Sequence, residues 1–162
     1  MSNYNYVSQE NIKDWLLNIT REATMHDFKP SSIISPNRGG LQLGVMLSHY
    51  YDCPHFPVQV SHRDMEVVDF ISIEWAFKEA KRRGPILVID DINDSGKTIN
   101  SIRDAIKHIP LLDMDSVLFA VLLEKETSQA EADFVGHYIN SDREQEWVVF
   151  PWEDWWKRQI LA

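Results

Sequence analysis

Residues 86–98 read ILVIDDINDSGKT, and isoleucines follow at positions 99, 102, 106 and 109. Ile86, Leu87, Val88 and Ile89 form an unbroken apolar run rich in β-branched residues. Such a run suits a strand covered on both faces, because a strand with one wet face alternates polar and apolar. The isoleucines recur at helical spacing, so a helix starts directly after Gly-Lys-Thr. A strand buried on both sides and feeding a helix needs parallel neighbours and helical cover on each face, which excludes most architectures at once.

The rest of the chain agrees. Ile12, Trp15, Leu16 and Ile19 predict a helix over 8–26 with Ser8 as its cap. SSIIS (31–35) reads as a strand, PNRGG (36–40) as a turn, and LQLGVMLSHYY (41–51) as a helix turning Leu41, Val45 and either Met46 or Leu47 inward. FPVQVS (56–61) is a further strand. Between 61 and 84, HRDMEVVDF allows a short strand and IEWAFKEAKRRG has helical composition, while a mobile segment fits equally. SVLFAVLL (116–123), FVGHYI (134–139) and EWVVF (146–150) read as strands, and PWEDWWKRQI starts a last helix with Pro151 near its first turn. This alternation predicts an α/β fold: one open, mainly parallel twisted sheet with helices on both faces. Its 162 residues make a single domain. In such sheets ligands bind beyond the carboxyl ends of strands, where Arg38, Asp90 and Lys125 fall.

A net charge of −9 argues against general attraction to nucleic acid or to an anionic membrane surface. Cys53 is the only cysteine, so no intrachain disulfide forms and no zinc site is suggested. MSNYNYVSQENIKDW lacks a signal-peptide pattern, and no apolar stretch approaches membrane-spanning length. A reducing cytoplasm is the expected compartment. The histidines at 26, 49, 55, 62, 108 and 137 show no metal-ligand spacing.

The loop from Asp94 to Thr98 sits where a helix N-terminus offers unsatisfied N–H groups and a favourable dipole to an anion. Gly96 permits the turn, and Ser95 and Thr98 add hydroxyl donors. It is not a nucleotide-hydrolase P-loop, which needs glycine five residues before the Gly-Lys glycine; that position is Asp91. Paired acids at a strand end would by themselves suit a cap or a solvated turn. Strand, DD, a third acid, Ser-Gly and threonine together, followed by the isoleucine stripe, point to a phosphate-binding site rather than to a cap.

That ordered pattern resembles the phosphoribosyl diphosphate signature of the type I phosphoribosyltransferases. The resemblance implies that Asp90 and Asp91 face the ribose hydroxyls and the water shell of a magnesium ion, while Ser95, Gly96, Lys97 and Thr98 cradle the 5-phosphate. Lys97 stands where some relatives carry glycine. SPNRGGLQLG (35–44) resembles the diphosphate loop, with Arg38 and Gly39 in the matching places and an unusual peptide conformation expected there. SHRDMEVVDF (61–70) lies where the family has a lid. LLEKE (122–126) and EWVVFPWED (146–154) look like the base-binding hood, built mainly from about 124–162, of the xanthine-guanine and hypoxanthine enzymes.

In that resemblance Lys125 donates to a purine 6-oxo group, Trp147 stacks on the base and Val148 offers backbone groups to its edge. Glu153 falls near the metal, where relatives use aspartate. Asp94 handles the proton at N7, and Arg38 supports the leaving diphosphate. The implied activity is phosphoribosyl transfer from phosphoribosyl diphosphate to a 6-oxopurine, with Mg2+ as cofactor, in a homodimer or higher homo-oligomer. A pyrimidine or adenine acceptor, and a regulator that binds such ligands without chemistry, are the competing readings. Trp152, Trp155 and Trp156 are expected to be structural.

Overall fold

A computed structural model describes residues 3–62, 66–140 and 146–157. In chain order the elements are β1 (Tyr4–Tyr6), α1 (Gln9–Met25), β2 (Ser32–Pro36), α2 (Leu41–Tyr51), β3 (His55–Val58), β4 (Val60–Ser61), β5 (Val67–Val68), α3 (Phe70–Lys81), β6 (Ile86–Asn93), α4 (Lys97–Ile106), β7 (Val117–Lys125), β8 (Phe134–Ile139) and β9 (Trp147–Val149). The main sheet has five strands in the order β3-β2-β6-β7-β8, and every pairing in it is parallel. The expected α/β architecture is therefore present.

Two cores flank the sheet. One joins Ile34, Val88, Phe119 and Val121 to Ile73 and Phe77 of α3 and to Ile99, Ile102 and Ile106 of α4. The other joins Ile33, Leu87, Ile89 and Leu122 to Ile12, Leu16 and Ile19 of α1 and to Leu43 and Leu47 of α2. Side-chain alternation along β6 explains why its run is apolar throughout: Ile86 and Val88 enter the first core, Leu87 and Ile89 the second. Burying one isoleucine is worth about 1.5–3 kcal/mol. The stripe at 99, 102 and 106 thus anchors α4 firmly to the sheet and fixes where its first turn points.

Several expectations are corrected. On α2 the buried residues are Leu43, Gly44 and Leu47, whereas Val45 and Met46 are exposed and Leu41 is half-buried. The segment is apolar on more than one side, so periodicity alone does not choose a face. The small residue chooses it, because a Cβ on Gly44 would lie 2.8 Å from the Ser35 hydroxyl and closer still to the His55 ring. The strand expected over 56–61 breaks at Gln59 into β3, in the main sheet, and β4, which pairs antiparallel with β5. Residues 70–81 form α3, with Asp69 accepting from the Ile71 amide at 3.0 Å.

β9 leaves the main sheet and pairs in parallel with β1, a strand not anticipated from Tyr4–Tyr6. After Pro151 the chain makes successive turns through 157 instead of a helix. Glu153 N–H donates to Phe150 O at 3.0 Å, Lys157 N–H to Asp154 O at 2.8 Å, and Trp152 folds back to stack on Phe150 at 4.8 Å. Each of these two bonds runs from i to i−3 and closes a four-residue turn, so no i to i−4 ladder starts. The remainder of that expected helix, from 158, lies outside the described residues.

Candidate active site

The strand order reverses between β2 and β6: β3 lies to one side of β2, and β7 and β8 lie beyond β6. Open α/β sheets bind ligands at such a switch point, outside the carboxyl ends of the strands. A cleft of about 590 Å³ occupies that place. The loop after β2 (Asn37, Arg38, Gly39), the end of β6 with its loop (Asp90 to Thr98), the β4 residues Val60 and Ser61, His62, and Trp152, Glu153 and Trp156 line it.

α4 opens onto the cleft and α2 starts just behind its lining residue Gly39, and both start differently from the other two. α1 is capped by Ser8, whose hydroxyl accepts from Asn11 N–H at 3.0 Å, and α3 by Asp69. α2 and α4 follow Gly40 and Gly96, and neither has a side-chain cap. At α2 the Gly40 and Leu41 amides donate to Pro36 O and Arg38 O, whereas no side chain answers the first-turn N–H groups of α4, a helix start that favours an anion. Gly96 has φ 84, which favours glycine, and a Cβ there would lie 2.7 Å from the Ala130 amide nitrogen. Ser95 and Lys97 are exposed at this end, and Thr98 is half-buried. At the other end Arg38 is exposed, and the Asn37–Arg38 peptide bond is cis.

Between the two helix ends lie Asp90 and Asp91. Asp91 is buried, its carboxylate accepting from Ile92 N–H at 2.7 Å and lying directly beside Gly39. Asp90 accepts from Asp91 N–H at 2.9 Å. Burial, and then the Asp91 charge, hold the Asp90 carboxyl well above the ordinary aspartate range. Two crowded carboxyls, that of Asp90 with raised proton affinity, are a donor set that a cation or hydroxyl donors relieve. Among the described residues, no group of three acid, histidine or cysteine side chains could hold a metal by itself.

Asp94 makes a direct contact with a residue that is not among those lining the cleft. Lys125, at the end of β7, pairs with Asp94 at 2.8 Å, with Lys125 13% and Asp94 62% exposed. Glu153 lines the cleft, and its Oε2 accepts from Phe150 N–H at 2.8 Å. Trp147 and Val148 begin β9 and are not among the lining residues; Trp147 is half exposed and Val148 buried. Trp152 and Trp156, taken from sequence as structural, line the cleft instead. His62, given no role from sequence, lines it too and bonds Ser101 of α4 at 3.0 Å, tying the β4 side to that helix. Residues 63–65 of the expected lid lie outside the described residues.

The profile of the phosphoribosyl transferase domain matches residues 5–155. The chain belongs to that family. Among curated proteins none matches it. Solved structures resemble this phosphoribosyltransferase over nearly its whole length. A purine phosphoribosyltransferase from Pyrococcus horikoshii is 21% identical, with a TM-score of 0.67 and 98% of each chain covered. A xanthine-guanine-hypoxanthine phosphoribosyltransferase from Helicobacter pylori is 20% identical, with a TM-score of 0.69 and 96% of this chain and 97% of its own covered. A hypothetical protein from Neisseria gonorrhoeae with bound ppGpp is 20% identical, with a TM-score of 0.68 and coverages of 94% and 90%. At these identities the likeness establishes a common fold. No helix among the described residues is long and apolar enough to cross a membrane.

Proposed function

We propose that this phosphoribosyltransferase moves the phosphoribosyl group of phosphoribosyl diphosphate onto a ring nitrogen of a 6-oxopurine (guanine, xanthine or hypoxanthine). The observation that carries this reading is the cleft with the Arg38–Gly39 loop at one end, the uncapped start of α4 at the other and two acids between. One ligand class has that layout: a ribose with a phosphate at one end and a diphosphate at the other. Ser95 to Thr98 hold the 5-phosphate, Asp90 and Asp91 address the ribose hydroxyls, and Arg38 with the Gly39 amide holds the diphosphate.

The new C–N bond takes its electron pair from the base nitrogen, and the C–O bond pair leaves with diphosphate. Arg38 and the Gly39 amide stabilise the charge that grows on the leaving oxygens. Bound at Asp90, with Glu153 nearby, Mg2+ would neutralise part of that charge. Asp94 accepts the proton that N7 of the base must lose.

Lys125 reads the acceptor. Its ammonium has only donors, so it accepts a 6-oxo purine and rejects the 6-amino group of adenine. Trp147 serves as base platform and Val148 as backbone contact, which gives β9 its part in the hood. A cytoplasmic homodimer or higher homo-oligomer completes the reading. The deciding experiment supplies Mg2+, phosphoribosyl diphosphate and each nucleobase in turn, and follows diphosphate. Release with an oxopurine and not with adenine, orotate or uracil supports the proposal.

One observation favours a second reading, a regulator that binds ligand without chemistry: the gonococcal neighbour holds ppGpp. Tight ligand binding with no diphosphate release from any base would select it.

A further inference from the structure

Two polar residues lie buried where the central strands end. Asn93, at one of the unspecified positions of the phosphate-loop pattern, is 3% exposed, and Glu124 is 7% exposed. They stand opposite each other in the β6–β7 register. Glu124 Oε2 accepts from Asn93 Nδ2 and from the Ala132 amide, both at 3.1 Å. Asn93 Nδ2 also donates to Ala130 O, and Asn93 Oδ1 accepts from the Ser128 hydroxyl at 2.9 Å. No lysine or arginine among the described residues pairs with Glu124, so neutral donors hold this carboxylate.

Burying a carboxylate in a sheet core costs more than burying a leucine of similar length. β7 is otherwise apolar from Val117 to Leu123, so an aliphatic residue at 124 would continue its pattern. What the polar pair provides is position. The next residue on each strand is Asp94 and Lys125, and these make the 2.8 Å ion pair of the acceptor side. That pair is too exposed at Asp94 to hold two strand ends together by itself. The same network fixes the segment through Ala130, whose amide lies 2.7 Å from where a Gly96 Cβ would be.

We propose that Asn93 and Glu124, clasped by Ser128, are positioning residues that set Asp94 and Lys125 at the acceptor base and the phosphate loop beside them. The proposal rests on the phosphoribosyl-transfer reading for its kinetic consequence but not for its geometry.

The test uses Glu124→Met, Glu124→Gln and Ser128→Ala in the full chain. Glutamine keeps the one oxygen that accepts both bonds; methionine keeps the volume and loses it. Glu124→Met is expected to lower kcat by about 10- to 100-fold, the penalty of misplacing reacting groups by a fraction of an ångström to an ångström. KM for phosphoribosyl diphosphate rises by less than kcat falls, since Arg38 and the α4 amides remain while the loop beside them loosens. Glu124→Gln restores kcat, a rescue that a merely structural role for the negative charge would not show. Ser128→Ala, at the edge of the network, gives a smaller loss in the same direction and decides the matter should Glu124→Met fail to fold.

Crystal structures of the same variants give a readout without catalysis: the Asp94–Lys125 contact opens in Glu124→Met, or loosens in Ser128→Ala, and is kept in Glu124→Gln. Wild-type kcat in Glu124→Met, equal losses in Met and Gln, an unmoved ion pair, or a silent Ser128→Ala overturns the proposal. If the wild-type protein releases diphosphate with no base, the function reading fails alone, and the crystallographic contact still decides the brace.

Discussion

Gly39→Ala probes the join between the two halves of the cleft. The added Cβ would fall 2.2 Å from Asp91 Oδ2, 2.4 Å from its Cγ and 2.6 Å from its Oδ1. Ordinary contact begins near 3.4 Å, so the carboxylate and the loop must separate by about 3.4 − 2.2 = 1.2 Å. The carboxylate has little room to yield, because it is 9% exposed and accepts from the Ile92 amide at 2.7 Å. Overpacking of this kind costs about 1–3 kcal/mol. For a chain of this size each kcal/mol moves Tm by about 2–4 °C, so calorimetry should show a fall of about 2–12 °C. A displacement of about 1 Å in the loop carrying Arg38 should also lower kcat/KM by about 10²-fold, since such misplacement alone has that effect. Serine or valine at 39 should do no better, as each carries the same Cβ. A Gly39→Ala protein with unchanged Tm and unchanged kinetics would refute the placement of Asp91 against this loop.

Asp94→Asn should slow turnover by about 10²- to 10⁴-fold while affinity for phosphoribosyl diphosphate changes far less; wild-type turnover would remove Asp94 from proton handling. Lys125→Ala should abolish the preference for oxopurines over adenine, measured as the ratio of kcat/KM values, and unchanged discrimination would take Lys125 out of the base site. Asp90→Asn should stabilise the ligand-free protein at neutral pH. The Asp90 carboxyl titrates above its unfolded value, so its cost is absent below about pH 3.9, grows as pH rises and is complete above the raised folded value. Thermal melts across that range should show a Tm gain at pH 7 that shrinks toward pH 3.5; a gain that grows on acidification contradicts the assignment. Trp147→Ala should raise KM for the base, with Trp156→Ala neutral; the reverse result would move the base platform to the wall that Trp156 forms.

Much of the fold was legible because its signals are local. Four apolar residues before the acids mark β6, and the 99, 102 and 106 isoleucines mark α4, whatever surrounds them. Ser8 announces the start of α1 in the same way. The loops at Arg38 and Asp94 to Thr98, singled out by their resemblance to family motifs that each lie within one stretch of chain, both line the cleft. α2 was misread on its face because LQLGVML is apolar around much of its circumference and only its neighbours choose a side. The turns after Pro151 escaped because tryptophan stacking and the Glu153 bond to Phe150 outweigh helix propensity there. The strand at Tyr4–Tyr6 escaped because its partner, β9, lies more than a hundred residues away.

Alone, then, the order of residues determined that a buried parallel strand delivers Asp90 and Asp91 to the mouth of an uncapped helix, since neighbours in sequence set both strand and turn. Only the tertiary structure decided that Gly39 meets Asp91, that Asp94 reaches Lys125, and that Asn93 and Glu124 share a buried bond. Each of those contacts joins segments dozens of residues apart, and their distances exist only once packing on both faces of the sheet has fixed where the strands end.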